Sequence, residues 1–234
     1  DRYITFSQTT AEKLCGRLSW LSGFHPHAAA HMYAFHVAVY CTNIERQAIL
    51  DGRHQISERF QKDIAWWNAI LKTRVLWNPD EFARKFKIIF TDANEDTIGA
   101  FDWDGQWMAS ELPFSILDKS IAVKEIIAVK EFVQHTQHDD FTTIVIVTDN
   151  QNVWHTLNRK YTRSHDMRVQ FDSLQSFLEE NNLQLISAWQ RSERNLVADS
   201  LTRGLEFAAH HYMNSMGHPL TTRVRGSCSH RWKY

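Results

Sequence analysis

Two aspartates stand where the sequence predicts that strands of a buried sheet end. Asp92 closely follows the apolar run 88–90, and Asp149 comes just after the apolar run 144–147. Such runs are typical of strands that are covered on both faces. If the two strands are parallel neighbours, their ends lie about 5 Å apart, and both carboxylates project from the same edge. Open α/β sheets bind their ligands at that edge.

Two further acids lie on predicted helices. Glu125 stands in the middle of an apolar helical stripe, whose members three and four positions away are Ile121, Ala122, Ala128 and Val129. A buried ionised acid is costly unless it is paired or binds a metal. The pattern therefore predicts a cation beside Glu125. Asp199 begins the last predicted helix, beside the same edge of the sheet.

Four carboxylates at one edge suit the hydrolysis of a phosphodiester with two magnesium ions. Hard oxygen ligands hold such ions roughly 3.5–4 Å apart. One ion helps to generate the attacking hydroxide, and the other stabilises the leaving oxygen. We therefore predict that Asp92, Glu125, Asp149 and Asp199 are catalytic and bind two Mg²⁺ ions, with Asp92 as the bridging ligand. Mn²⁺ is expected to substitute for Mg²⁺.

Each of these acids also has an ordinary structural interpretation. Aspartate at a strand end is common in turns and caps, which alone would account for Asp92 or Asp149. Asp199 is typical of a first-turn acid favoured by the helix dipole, and Glu125 could pair with a lysine. The presence of all four acids, each on the expected element, favours the metal site.

The elements around these acids predict an α/β fold. Residues 83–204 show the order β-β-β-α-β-α-α-β-α, in which Asp104-Gly105 is a hairpin turn signal. This order predicts a mixed five-stranded sheet with helices on both faces. Residues 1–82 carry helical patterning only and predict a small all-α unit. Residues 205–234 show no clear element and are interpreted as a basic C-terminal tail or linker, with a nucleic-acid-binding arm as the alternative.

Composition, net charge and cysteine spacing limit the class of protein and its compartment. The chain has 234 residues, 43% of them hydrophobic, and a formal net charge of -1, which neither demands nor excludes a nucleic-acid partner. Cys15, Cys41 and Cys228 are far apart and are typical of free thiols in a reducing compartment. No apolar run reaches the length of a membrane span. We expect an intracellular protein of the cytoplasm or nucleus, with no membrane partner.

Four short segments resemble the four blocks of the ribonuclease H domain: 90–93 (FTDA), 124–129 (KEIIAV), 147–150 (VTDN) and 197–203 (VADSLTR). Among ribonuclease H domains, these segments resemble those of retrotransposon reverse transcriptases, especially the tyrosine-recombinase (DIRS-like) and Ty3/gypsy-like groups. In the helical unit, Leu14-Cys15-Gly16-Arg17-Leu18 and Asp63-Ile64-Ala65-Trp66-Trp67 resemble the thumb and the connection segment that precede this domain. The resemblance covers residues 8–204.

This resemblance implies a ribonuclease H-like fold and an endonuclease that cuts the RNA strand of RNA–DNA hybrids with divalent metal. Such an enzyme leaves a 3′-hydroxyl and a 5′-phosphate. The partner that the resemblance implies is the polymerase portion of the same reverse transcriptase. The alternative is a catalytically weak or inactive scaffold that binds nucleic acid or protein. A proofreading exonuclease is excluded because Asp92-Ala93-Asn94 lacks the second acid of that group. A transposase would usually carry glutamate where this chain has Asp199.

Five residues are predicted to contact the hybrid: Asn150, Arg163, Ser164, Arg191 and Arg194. The stretch 153–170 is rich in basic residues, and phosphate contacts supply most sequence-independent affinity. A solvated helix face is the alternative, but Thr162-Arg163-Ser164 resembles the retrotransposon branch. The loop before Asp199 lacks the histidine that many ribonucleases H use for product release. Arg191, Arg194 and His165 are the candidates to replace it.

Overall fold

The computed structural model describes residues 6–22, 25, 27–73, 85–139 and 142–227. The chain divides into two compact units, Asp1–Asn78 and Pro79–Tyr234. The domain boundary predicted after residue 82 lies outside the described residues, so that boundary stays a prediction.

The first unit is a helical bundle. Its helices are α1 (Gln8–Leu21), a 3₁₀ helix (Ala28–Met32), α2 (Tyr33–Tyr40), α3 (Asn43–Leu50) and α4 (Ser57–Thr73). They bury a common apolar core that includes Leu18, Phe35, Ile49, Phe60 and Trp67. The small all-α unit predicted from the sequence is therefore confirmed.

The second unit contains a sheet whose strands are β1 (Lys85–Ala93), β2 (Thr97–Asp102), β3 (Gln106–Glu111), β4 (Thr142–Thr148), β5 (Gln184–Trp189) and β6 (Thr222–Arg223). The strand order is β5-β4-β1-β2-β3-β6. Strands β1, β2 and β3 form an antiparallel meander, whereas β4 lies parallel to both β1 and β5. The mixed sheet is confirmed, with one short strand more than the five that were predicted.

Helices cover both faces of this sheet. They are α5 (Ile121–His135), α6 (Gln151–Arg159), α7 (His165–Glu180), α8 (Leu196–Thr202) and α9 (Glu206–Ser215). Helices α8 and α9 pack on the face that presents Phe101 and Trp107. Ile98, Ala100 and Met108 alternate with those residues, point to the other face and are fully buried. This layered α/β architecture is the predicted fold class.

The hairpin turn between β2 and β3 anchors the end of the described chain. Gly105 has a φ of +87°, which favours glycine, and an added Cβ would lie 2.6 Å from the carbonyl oxygen of Pro219. The backbone N–H groups of Thr221 and Thr222 donate to the carbonyl of Gly105, at 2.8 and 3.0 Å. The carbonyl group of this turn therefore binds the backbone that leads into β6.

The segment after residue 204 differs from its sequence interpretation as a tail or linker. Helix α9 contributes Ala209 and Met213 to the buried core, and β6 pairs with β3. Arg223 lies 4.9 Å from the centre of the Trp107 ring. The sequence did not show these elements because the helix has a weak apolar stripe and the strand has only two residues. The described part of this segment, up to residue 227, belongs to the packed unit.

Two further expectations concern cysteines and membranes. Cys15 and Cys41 carry free thiols, and Cys228 lies outside the described residues. In the part of the chain that the structure describes, none of the helices combines the length and the apolar character that crossing a membrane requires.

Candidate metal-binding active site

The parallel pair β1 and β4 brings two aspartates to the same edge of the sheet. Phe90 of β1 is in register with Val147 of β4. Asp92 and Asp149 each lie two residues beyond that pair, so they stand at the same level along the two strands, with Asp92 still in β1 and Asp149 just past the end of β4. The placement follows from strand direction, because parallel strands end at one edge.

Glu125 completes a cluster of three carboxylates. It lies on the second turn of α5, which packs on the sheet beside β1 and β2. One carboxylate oxygen from each of Asp92, Glu125 and Asp149 lies within 4.8 Å of the others. The structure thus brings together three acids from a central strand, a helix and a neighbouring strand.

The most deeply buried of the three acids has no partner for one of its oxygens. Glu125 is 3% exposed, and its Oε2 accepts no hydrogen bond within the described structure. The neighbouring Lys124 does not serve as its cation, because its Nζ donates to the backbone carbonyls of Glu95 and Leu117, at 2.6 and 2.8 Å. The interpretation of Glu125 as half of a lysine pair is therefore not supported.

Burial and mutual repulsion raise the pKa values of two of these acids. Burial raises the pKa of Asp92 to about 6, and the charges of Asp149 and Asp199 act in the same direction. Burial also raises the pKa of Glu125 well above its usual value, with further contributions from Asp92 and Asp149. In both cases the charged form lacks solvation and faces other acids. Burial is the largest cause of both shifts, and the charges that add to it come from other acids.

The position of Asp92 is fixed by a helix more than a hundred residues away in sequence. The Thr202 hydroxyl on α8 donates to Oδ2 of Asp92 at 3.0 Å. Gly99 on β2 is in register with Asp92, and a Cβ there would lie 2.8 Å from the carbonyl oxygen of Ala198. Glycine at this position lets α8 approach the sheet closely enough for Thr202 to reach the aspartate.

Asp199 does not join the group of three acids. It lies on α8, is partly exposed, and accepts from Nε of Arg203 through both oxygens, at 2.8 and 2.9 Å. Its charge nevertheless acts on Asp92, which places it at the margin of the cluster. Its predicted role as a fourth metal ligand stays a prediction.

The five predicted substrate-contacting residues occupy three connections around the sheet. Asn150 directly follows Asp149, and its side chain accepts from the backbone N–H groups of the first turn of α6. Ser164 accepts from the N–H of Met167 as the cap of α7. Arg163 precedes Ser164 and is exposed.

Arg191 and Arg194 are also exposed. Arg191 precedes the short 3₁₀ helix Ser192–Arg194 between β5 and α8, and Arg194 is its last residue. Contact of all five with nucleic acid stays a prediction.

Sequence analysis missed the side chains that hold the cluster in place. Thr202 supports Asp92, and Asn195 donates from Nδ2 to the carbonyl of Thr91 at 2.9 Å. The indole of Trp189 donates to the carbonyl of Asp149 at 2.8 Å. These residues are distant in sequence from the residues they contact. Thr202 lies in the segment 197–203 that resembles a ribonuclease H block, but no local pattern indicated the contacts that the three residues make.

The residues present fit a hard divalent cation. The cluster offers carboxylate oxygens, the ligand type that Mg²⁺ prefers, and one of them is a buried oxygen that accepts no hydrogen bond. No basic side chain in the described structure is among the groups that shift the pKa of Asp92 or Glu125. A cation at this point would offset both the burial and the repulsion of the acids.

No protein-family model and no curated protein matches the chain. Among solved structures, it is similar to LC11-RNase H1 in complex with an RNA/DNA hybrid, with 14% identity over 50% of this chain and 94% of that chain and a TM-score of 0.36. It is also similar to LC11-RNase H1 isolated from compost by a metagenomic approach, with 16% identity over 54% and 99% of the two chains and a TM-score of 0.39.

A third similar structure is the N-terminal RNase H domain of Rv2228c from Mycobacterium tuberculosis, solved as a fusion with maltose-binding protein. It has 14% identity over 55% of this chain and 99% of that chain, and a TM-score of 0.35. TM-scores below 0.5 are too low for these similarities to carry an argument about activity. The function must be argued from the site.

Proposed function

We propose that this chain is a divalent-metal-dependent endonuclease that hydrolyses the RNA strand of RNA–DNA hybrids. The observation that carries the proposal is the convergence of Asp92, Glu125 and Asp149, with oxygens within 4.8 Å of one another. A cluster kept only for stability would be expected to include a cation from the protein itself. Here the shortage of positive charge is part of the arrangement.

In this proposal the protein's own residues bind and orient the reacting groups. Asp92, Glu125 and Asp149 would hold Mg²⁺, and Asp199 would join them once its ion pair with Arg203 opens. That pair is partly exposed, so opening it costs no more than about 1 kcal/mol. When bound, two magnesium ions would supply a water nucleophile and stabilise the charge that develops on the phosphate.

The choice of substrate rests on the resemblance of the four acid-bearing segments to the ribonuclease H blocks. Asn150, Arg163, Ser164, Arg191 and Arg194 are proposed to contact the hybrid. Phosphate contacts of this kind would provide affinity and register without reading sequence. We further propose that the chain is part of a retroelement reverse transcriptase, with the polymerase portion as its partner.

The test is cleavage by the full chain of three labelled substrates in parallel: an RNA–DNA hybrid, double-stranded RNA and duplex DNA. With Mg²⁺ or Mn²⁺, we expect cleavage of the RNA strand of the hybrid alone. Asp149→Asn should abolish cleavage while leaving the circular dichroism spectrum and the melting temperature close to those of the wild type. Asp118→Asn is the matched control, because Asp118 is an exposed acid outside the cluster.

Two outcomes would contradict the proposal in different ways. Equal cleavage of hybrid and duplex DNA would show a nuclease of different specificity. No cleavage, together with no calorimetric binding of Mg²⁺, would instead favour the catalytically inactive scaffold.

A further inference from the structure

A tryptophan side chain binds the backbone of one of the clustered acids. Trp189 is the last residue of β5, and its Nε1–H donates to the carbonyl oxygen of Asp149 at 2.8 Å. The ladder between β4 and β5 ends at the pair Thr148–Trp189. Asp149 therefore lies one residue beyond the ladder, and the indole supplies a hydrogen bond where regular strand pairing has stopped.

The segment that begins with Trp189 also reaches the strand that carries the other aspartate. The N–H of Gln190 donates to the carbonyl of Thr148 at 3.0 Å, and its side-chain Nε2 donates to Oδ1 of Asn195 at 3.1 Å. Asn195 in turn donates to the carbonyl of Thr91 at 2.9 Å. Residues 189–195 thus connect the ends of β4 and β1, directly beside the two aspartates.

We propose that Trp189 is a positioning residue for Asp149. Its N–H fixes the Asp149 peptide so that the carboxylate stays in the cluster with Asp92 and Glu125. Without this restraint, repulsion among the acids and rotation of the chain beyond the strand would move the carboxylate outward. The consequence for cleavage rests on the proposed function, whereas the consequence for cation binding does not.

The exposure of Trp189 supports this role over a packing role. The side chain is 42% exposed although its N–H is engaged in a hydrogen bond. A tryptophan kept only to fill the core would be more deeply buried. A packing role would be largely preserved by phenylalanine, whereas a hydrogen-bonding role would not. The two roles therefore separate by substitution.

Two substitutions at this position separate the contribution of the aromatic ring from that of its N–H donor. Trp189→Phe retains a six-membered apolar ring and removes the N–H. Trp189→His removes the bulk of the indole but keeps a ring nitrogen, Nε2, three bonds from Cβ as in the indole, and this nitrogen donates in the Nε2–H tautomer of the imidazole. Ile186→Ala is the matched control, because Ile186 lies on the same strand with the same 42% exposure.

The full chain and each variant are titrated with Mg²⁺ by calorimetry at pH 8, and kcat and KM are measured on the hybrid. Outer partners of metal ligands typically contribute about 10–100-fold to affinity or activity. We therefore expect Trp189→Phe to weaken Mg²⁺ affinity by about 10-fold and to lower kcat by a similar factor, with KM unchanged. Trp189→His should retain more Mg²⁺ affinity than Trp189→Phe, and Ile186→Ala should match the wild type.

Several results would overturn this inference. They are wild-type affinity and kcat in Trp189→Phe, affinity in Trp189→His no better than in Trp189→Phe, or an equal loss in Ile186→Ala. A wild-type protein that binds Mg²⁺ but cuts no hybrid would defeat the proposed function instead. In that case, weaker Mg²⁺ binding by Trp189→Phe would still support the positioning role.

Discussion

Buried acids lie near both ends of strand β1, but their charged neighbours differ. Near its start, Nζ of Lys87 lies 3.0 Å from Oδ2 of the fully buried Asp102. This is an ion pair at close range, although its angles are not those of a hydrogen bond. Near its end, Asp92 and Glu125 are buried beside other acids, with raised pKa values. The acid near the start has a basic partner, whereas among the described residues no ion pair is found for Asp92 or Glu125 near the end.

A buried acid in the helical unit resembles the first of these cases. Asp63 is fully buried, and its Oδ1 lies 2.9 Å from Nε of Arg59 and 3.0 Å from Nδ1 of His31. Asp63 and Asp102, two buried acids outside the carboxylate cluster, thus each lie beside basic side chains. The shortage of positive charge is therefore confined to the carboxylate cluster and is not shared by Asp63 and Asp102. A cation site requires such a local shortage.

The largest expected effect comes from neutralising Glu125, the buried acid whose Oε2 accepts no hydrogen bond within the described structure. Glu125→Gln should lower the rate of hybrid cleavage by on the order of 100-fold or more, since even outer partners of metal ligands contribute about 10–100-fold. Because the glutamine carries no charge to bury, the free energy of unfolding in EDTA should be unchanged or higher. Initial cleavage rates and urea unfolding measure the two quantities. A large loss of stability would mean that Glu125 supports the fold instead.

The opposite result is expected for the paired acid. Asp102→Asn leaves the charge of Lys87 buried without a counter-charge, which should lower the free energy of unfolding by about 3–5 kcal/mol. Mg²⁺ affinity of the folded fraction should be unchanged, because Asp102 lies on β2 outside the carboxylate cluster. Urea unfolding and calorimetry check both statements. Loss of Mg²⁺ binding in a folded variant would break the distinction between the two ends of β1.

The stability of the metal-free protein should depend on pH through the cluster. Burial raises the pKa of Asp92 from 3.8 to about 6, so the folded state binds more protons than the unfolded state between these values. The free energy of unfolding should therefore decrease by about 3 kcal/mol as the pH rises through this range. Glu125 acts in the same direction, because its pKa is also raised.

Urea unfolding in EDTA at several pH values measures this slope. The variant Asp92→Asn should remove much of it, and saturating Mg²⁺ should reverse it, because the metal binds the ionised acids. A slope of the same size in Asp92→Asn would place its origin elsewhere in the protein.

The smallest effect concerns how closely α8 approaches the cluster. Gly99→Ala places a methyl group 2.8 Å from the carbonyl oxygen of Ala198, so the helix must shift. We expect a loss of about 1–3 kcal/mol in the free energy of unfolding and a weaker contact between Thr202 and Asp92. Urea unfolding and Mg²⁺ titration provide the measurements. Gly16→Ala is the control, because nothing lies within 4 Å of an added Cβ there.

Much of the fold followed from patterns that are local in sequence. The apolar runs of β1 and β4, the Asp104-Gly105 turn and the helical stripe around Glu125 each indicate their own element. Helix α9 and strand β6 were missed. Their residues are stabilised by contacts with β3 and α8, which no local pattern encodes.

The candidate site was likewise predictable where the signal is local in sequence. Asp92, Glu125 and Asp149 stood out as a set, because each alone has an ordinary structural interpretation, whereas all of them on the expected elements favour a metal site. Asp199 was grouped with them, and in the structure it pairs with Arg203, an interaction at helical spacing that would compete with the metal binding proposed for it. The supporting contacts of Thr202, Asn195 and Trp189 could not be predicted, because each joins residues that meet only after the sheet has formed.

Residue type and local periodicity were therefore enough to indicate which segments form strands and helices and which charged residues lie in apolar segments. Tertiary structure decided that β1 and β4 are parallel neighbours in a register that brings Asp92 and Asp149 to one level. It also decided that Glu125 lies beside them without a cation of its own. Distances between carboxylates depend on how separate elements pack, and packing is a property of the whole folded chain.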